Sequence, residues 1–475
     1  MFDWIAACDA FLGEALPALR AFGGPTTGAS ISFEHLERRV LLEREPLARR
    51  IPGILADEVD GDQAQLFARR FGSAVEVLCA LQGPQARVLR AGLICRTQQV
   101  LKDPPPRALR VRAVADFYTS QAALLHHLDA SKGAPTLADK VADMLWQPTG
   151  PGVAHAHLAG PTRAGPVHIH CLRVAPGVRL RTLDCRNQGG LAEIAASHGA
   201  IAAVSGGFFL YSEPDISPPS QRGDPVGLLI DRGVLVNPPV FRRGALVQRE
   251  DLSSCLETVG MVGARIGTET VTAVNTPDAK APLFNRAWGA ESPALDQPCA
   301  AVVGCEVVQT GHGSLPIPLA GFVFAGHRPL PLGPVDIALP NRPHAAIAGG
   351  PLLHQLDLAA EDFSHNAPPI TFSSDETFDQ NLLPRMVVGQ RPDGTLVFAA
   401  IDGRHFHRAP GMTLKGAWSL LQQLDCTRGL NLDGGSSKRM VVGGRSVDMS
   451  TTEIVTRAGA MGAIRPVRTA VLIGV

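Results

Sequence analysis

No two cysteines are spaced C-x-x-C, no stretch approaches the roughly 20 apolar residues that span a bilayer, and neither sign of charge is in excess. Each absence excludes something. The nine cysteines are odd in number, and the nearest pair is Cys299 and Cys305, which argues against a disulfide framework or a zinc-ribbon spacing and for buried thiols in a reducing compartment. Lys plus Arg equals Asp plus Glu at 44 each, so net charge gives no support to nucleic acid or an anionic membrane as a partner. The opening residues MFDWIAACDAFLGEAL carry Asp3 and Asp9 and no early base, unlike a secretory leader, so the expected location is the cytoplasm. G-x-x-x-x-G-K-[ST] does not occur, and no G-x-G-x-x-G follows a strand, so neither a phosphate loop nor a dinucleotide fold is expected.

What remains is a loop-rich globular chain of 475 residues, long enough for two or three domains, with 49 glycines and 38 prolines spread along it. Residues 1–146 read as an all-helical domain. In SFEHLERRVLLEREPLARR, Phe33, Leu36, Val40 and Leu47 recur at helical spacing behind a capping Ser32. The prolines of KDPPPR break the pattern between helices. The expected role is docking, or self-association of the chain into a homo-oligomer. WQPTGPG (Trp146 to Gly152) reads as a linker.

From about residue 150 the period changes from helical to alternating. PVHIHCLRVA, RGALVQR, AAVVGCEVVQT, RMVVGQRPDGTLVFAAIDGR, GLNLDGG, RMVVGGRSVDM and RTAVLIGV are strand candidates, with hairpins at Pro392-Asp393-Gly394 and Gly443-Gly444. Helices are few: GGLAEIAASHG and TLKGAWSLLQQLDC. The expected fold class is α+β, a mixed β-sheet domain with few helices over 150–475, preceded by the all-α domain. LPIPLAGFVFAGHRPLPLGP reads as an irregular Pro-rich connection. The polar stretch from Asp357 to Pro384 reads as a long functional loop.

Five short segments stand out as candidate chemistry. Three are strand ends that stop at glycines: Ser205-Gly206-Gly207-Phe208-Phe209, Gly349-Gly350-Pro351, and Asn431-Leu432-Asp433-Gly434-Gly435-Ser436-Ser437. Glycine lets main chain pass close to a partner with no Cβ in the way. The other two are Pro384-Arg385 at a strand entry and Asp402-Gly403-Arg404 at a strand exit, which sets an acid beside a guanidinium. Three H-x-H pairs also occur, His155/His157, His168/His170 and His405/His407; they read as strand histidines, and no metal or cofactor is expected.

Taken in order, with Gly411-Met412-Thr413-Leu414 opening the last helix, these segments resemble the phosphodiester glycosidase family, whose animal members uncover mannose 6-phosphate by removing N-acetylglucosamine. The resemblance covers roughly residues 150–475. Ser205 stands where the family has Asn, Ser436 where it has a third Gly, and Met386 where it has Thr. The resemblance implies a hydrolase acting at the anomeric carbon of a sugar-1-phosphodiester or related phosphorylated small molecule. Such a bond breaks through an oxocarbenium-like transition state, with positive charge on the ring and negative charge on the departing phosphate. Arg385 and Arg404 suit the phosphate, and Asp402 and Asp433 suit the ring. Around them, Ser205, Gly206, Gly207, Phe208, Gly349, Gly350, His405, Asn431, Gly434, Gly435, Ser436 and Ser437 would bind substrate, the glycines through unhindered N–H groups. A biosynthetic enzyme with a different reaction on this scaffold, or a non-catalytic sugar-phosphate binder, are the alternatives.

Overall fold

A computed structural model describes residues 133–163, 165–186, 188–210, 216–341, 343–356, 383–403, 408–409, 411–451 and 466–475. The helices expected before residue 133 and most of the loop from Asp357 lie outside these residues.

The described chain is mostly antiparallel sheet. One six-stranded sheet runs in the order β1 (Gln147–Gly150), β2 (Val153–Thr162), β3 (Gly165–Val174), then the strands Leu396–Ile401, Arg385–Gln390 and Arg428–Leu432. A five-stranded sheet places β4 (Leu180–Asp184) at one edge and β5 (Ala202–Ser205) at its centre. Strands Thr469–Ile473, Met440–Val442 and Arg445–Ser446 complete it. Side chains alternate across each strand, so in the inner strands one face meets the space between sheets and the other meets the layer of a helix. Met386 and Val388 point into the core shared with Leu172, Val204, Phe398 and Val471. Val387 points the other way, against the helix Leu414–Gln423. Ala203 and Leu472 likewise pack on the helix Leu191–Ser197. The result is two sheets around a common core, each covered outside by a helix.

Local sequence explains both helices. Leu414, Ala417, Leu420 and Leu421 fall on one face at i, i+3, i+4 spacing and are buried. Burying each of the three leucines is worth roughly 1.5–3 kcal/mol. Thr413 caps the start by accepting the Gly416 N–H at 3.0 Å. The Gly443-Gly444 hairpin has φ of 54° and 77°, the left-handed pair that a two-residue turn requires.

Further strands form a second sheet system with its own core, including Leu283, Val302, Phe322 and Phe324. Three expectations are corrected here. WQPTGPG is not a linker, because Gln147–Gly150 pairs with β2 as a sheet edge. Within LPIPLAGFVFAGHRPLPLGP, Gly321–Ala325 is an interior strand, paired on both sides and buried at every position. Its run of apolar residues lacks alternation because both faces are covered. AAVVGCEVVQT is a hairpin of two strands, Cys299–Val303 and Glu306–Gly311, turning at Gly304 with φ 59°. Among the described residues no helix is long and apolar enough to cross a membrane.

Candidate functional site

The five segments meet. Asp433 N–H donates to the Gly206 carbonyl at 3.0 Å, Gly350 N–H to Asn431 at 2.6 Å, and Gly435 N–H to Pro384 at 2.9 Å. A Cβ on Gly207 would stand 2.2 Å from the Ala348 carbonyl oxygen, and one on Gly349 2.3 Å from that of Asn431. On Gly403 it would stand 2.4 Å from Pro384 N, and on Gly434 2.6 Å from the Pro384 oxygen. These contacts are closer than any side chain tolerates. The glycines are there so that strand ends can touch main chain to main chain.

That alters one expectation. The N–H groups of Gly206, Gly349, Gly350 and Gly435 are already bonded to the carbonyls of Thr469, Gly244, Asn431 and Pro384. They hold the strand ends to each other and are not presented to an anion. Ser205 is also engaged: its hydroxyl accepts the Arg439 N–H at 3.1 Å. Phe208 packs with Leu210, Val226 and Leu319 in a small apolar cluster. Asn431, Ser436 and Ser437 are buried, whereas Asp433 and Gly434 are partly exposed at the end of the Arg428–Leu432 strand.

Arg385 is buried, and its Nε donates to the Met412 carbonyl at 3.0 Å, tying the strand entry to the start of the last helix. Asp402 is enclosed completely, with no exposed side-chain surface. Its Oδ2 lies 2.5 Å from His168 Nδ1, its Oδ1 accepts from Lys438 Nζ, and the Met449 N–H reaches both oxygens at 3.2 Å. Burial alone would raise the Asp402 carboxyl. The His168 hydrogen bond and the Lys438 charge outweigh it and hold the carboxyl below the usual carboxylate range. Lys438 Nζ also donates to Asp448 Oδ2 at 2.6 Å, and Asp448 accepts the Met440 N–H at 2.8 Å. Lys438 and Asp448 side chains have no exposed surface either. Arg404 and His405 lie outside the described residues.

Lys438, Asp448 and Arg439 were not picked out from the sequence, and His168 was read only as a strand histidine. The signal was period 2. Asp402 follows Phe398 and Ala400 on the core-facing side of its strand, and Lys438 precedes core-facing Met440 by two. The inter-sheet core therefore turns ionic at one end.

The histidine pairs also differ from expectation. In the β2–β3 hairpin His157 stands directly opposite His170, and Ala159 opposite His168. Residues two apart share a face, so His155, His157, His168 and His170 gather on one side. His157 Nε2 is 3.0 Å from His168 Nε2, and His155 Nε2 is 3.0 Å from His170 Nδ1. His170 is only 6% exposed. Burial, then the neighbouring His157 and His168, pushes its pKa down to about 3, so it is a neutral imidazole near pH 7. A separate groove of about 940 Å³, lined by Arg242, Glu257 and Met261 among others, shares none of these residues.

Comparison with known proteins gives a partial match. A curated relative, an uncharacterized SPbeta prophage-derived protein of Bacillus subtilis (strain 168), is 40% identical over 65 residues, 14% of this chain and one-tenth (10%) of its own length. Among solved structures, a hypothetical protein from Synechocystis aligns at 20% identity and TM-score 0.42, covering 68% of this chain and 62% of its own. The zebrafish N-acetylglucosamine-1-phosphodiester alpha-N-acetylglucosaminidase catalytic domain, auto-inhibited by its pro-peptide, aligns at 15% identity and TM-score 0.40, covering 73% of this chain and 92% of its own. The sequence model of the phosphodiester glycosidases matches residues 334–474, which hold four of the five converging segments, so this part of the chain is similar to that family.

Proposed function

We propose that the protein is a hydrolase that cleaves a sugar-1-phosphodiester at the anomeric carbon. The observation that carries the reading is the convergence of the five segments, which sequence separates by more than 200 residues and which meet through main-chain contacts. The C–O bond to the phosphate breaks, the phosphate leaves with the electron pair, and water supplies the new bond to the ring carbon. Phosphate is a good leaving group, so the site needs cations for it and a carboxylate for the ring more than a strong acid. Asp433 suits the ring carboxylate best, because it lies partly exposed at the strand end. Asp402 has both oxygens engaged and suits a bracing role for His168 and Lys438. Arg385 and Arg404 remain the proposed phosphate contacts, Gly434 lying against the Arg385 main chain and Ser436 and Ser437 following it in sequence. The thiols among the described residues are unpaired, which supports a reducing, cytoplasmic setting and a small phosphorylated metabolite as substrate.

The test is mass spectrometry of the full chain incubated with UDP-N-acetylglucosamine and other sugar-1-phosphodiesters. The expected products are a free sugar and the corresponding phosphate, with a loss of about 100-fold or more in Asp433→Asn. No turnover of any donor by folded protein, or undiminished turnover in Asp433→Asn, counts against the reading.

A further inference from the structure

We propose that the β2–β3 hairpin carries a binding site for a zinc-class divalent cation, with His157, His168 and His170 as its ligands. One ring nitrogen from each of the three lies within 4.8 Å of one from each of the others. Imidazole nitrogens about 2.0–2.1 Å from a tetrahedral zinc stand about 3.3–3.4 Å apart, so small side-chain rotations complete the geometry. His157 Nε2 and His168 Nε2, at 3.0 Å, are already near that separation.

Two features set this cluster apart from histidines that merely neighbour each other on a sheet. First, His170 Nε2 is buried with no hydrogen-bond partner. A buried polar nitrogen left without a partner is unusual in a folded protein. Its other nitrogen, Nδ1, lies 3.0 Å from His155 Nε2, and the tautomer in which Nδ1–H donates to His155 leaves the lone pair on Nε2 for a metal to select. Second, His168 Nδ1 is held at 2.5 Å by the Asp402 carboxylate, which again leaves Nε2 as the lone-pair nitrogen. A carboxylate behind a ligating imidazole orients the ring and raises its basicity, as in carboxylate–histidine–zinc triads. The two inner ligands thus both present Nε2, each fixed from behind. His157 is exposed, and a shift of its proton to Nδ1 frees its own Nε2 to complete the set.

Three neutral imidazoles form a set suited to zinc, copper(II) or nickel(II), and unsuited to magnesium or calcium, which take oxygen ligands. Three protein ligands leave a fourth position for water or a substrate oxygen. The site shares Asp402 with the ionic layer, so its occupancy acts on the same residues that brace the candidate active site.

The experiment is equilibrium dialysis of the full chain, stripped with chelator, against Zn²⁺, with metal counted by mass spectrometry. Mg²⁺ serves as the parallel arm. His157→Ala is the main variant, because its exposed side chain can be removed without opening the core; far-ultraviolet circular dichroism checks its fold. The expected result is one zinc fewer per chain in His157→Ala than in the native protein, no corresponding Mg²⁺ uptake, and no change in His312→Ala, an exposed histidine elsewhere. Co²⁺ added to the native chain should give visible d–d absorption that Zn²⁺ displaces, a readout needing no variant. Equal zinc content in the native chain and His157→Ala, or no Co²⁺ spectrum displaceable by Zn²⁺, overturns the proposal.

Discussion

Replacing Lys438 by Met keeps the volume of the side chain and removes the cation between Asp402 and Asp448. Both carboxylates and the lysine are wholly enclosed, so water cannot step in. Breaking a buried ion pair from one side typically costs about 3–5 kcal/mol. The structure supplies a ceiling for this case. The variant can relax by binding one proton, and protonating a carboxyl of ordinary pKa near 4 at pH 7 costs about 4 kcal/mol, at about 1.4 kcal/mol per pH unit. The remaining partners, Met440 N–H on Asp448 and His168 and Met449 on Asp402, still stabilise the carboxylates and hold the loss at or below that ceiling. The sign follows. In the variant one carboxyl has a raised folded-state pKa, so the folded form binds the extra proton and the deficit shrinks as pH falls from 7 toward 5. Urea unfolding of native and variant protein at pH 5, 6 and 7 measures it. The expected loss is about 3–4 kcal/mol at pH 7, falling by about 1 kcal/mol or more per unit toward pH 5. Combining it with Asp448→Asn should recover part of the loss, since removing both partners spares the unpaired charge. A loss under about 1 kcal/mol at pH 7, or one independent of pH, would refute the claim that Lys438 neutralises enclosed carboxylates.

Gly349→Ala places a methyl 2.3 Å from the Asn431 carbonyl oxygen and should lower the melting temperature by several degrees. Gly289→Ala, whose Cβ would meet nothing closer than 3.9 Å, should leave it within about a degree. Cys171, Cys185 and Cys426 are buried, and burial pushes each thiol up to about 12. Alkylation at pH 8 followed by peptide mass spectrometry should leave all three unlabelled in folded protein and labelled after denaturation.

Much of the β-domain was legible because its physics is local. The helix read from TLKGAWSLLQQLDC and the Gly443-Gly444 turn each depend on contacts within a few residues, and each was found where the sequence placed it. The misread segments were those whose environment is supplied from afar. Gly321–Ala325 lacks alternation because strands on both sides, from Pro282–Asn285 and Cys299–Val303, bury it completely. Flanking prolines were read as a mark of irregular chain, although they lie outside the strand. Gln147–Gly150 looked like a linker for the same reason: Pro and Gly suit an edge strand as well as a connection, and only the partner β2 decides.

The site divides along the same line. Glycine at a strand end is visible in sequence, but whether its bare Cα faces a ligand or another chain segment is not. Here Gly206, Gly349 and Gly350 resolve toward other segments, since each N–H already has a carbonyl partner. Charge follows a different logic. Lys438 sits in SSKRMVV and reads as an ordinary basic residue at a strand entry, yet period 2 carries it onto the same side as Met440 and hence into the core. The same count carries Asp402 inward from Ala400 and His168 inward from His170. A lone inward charge is expensive, so an inward acid on one strand calls for an inward base on another. Sequence distance hides that pairing, because 36 residues separate Asp402 from Lys438 and 234 separate it from His168. His168 lies within β3, Asp402 just past the strand Leu396–Ile401 and Lys438 just before the strand Met440–Val442, and the three become an ionic layer only when the sheets close. That closure fixes the His168 ring and anchors the segment after Gly435, while Asp433 stays partly exposed at the end of its strand.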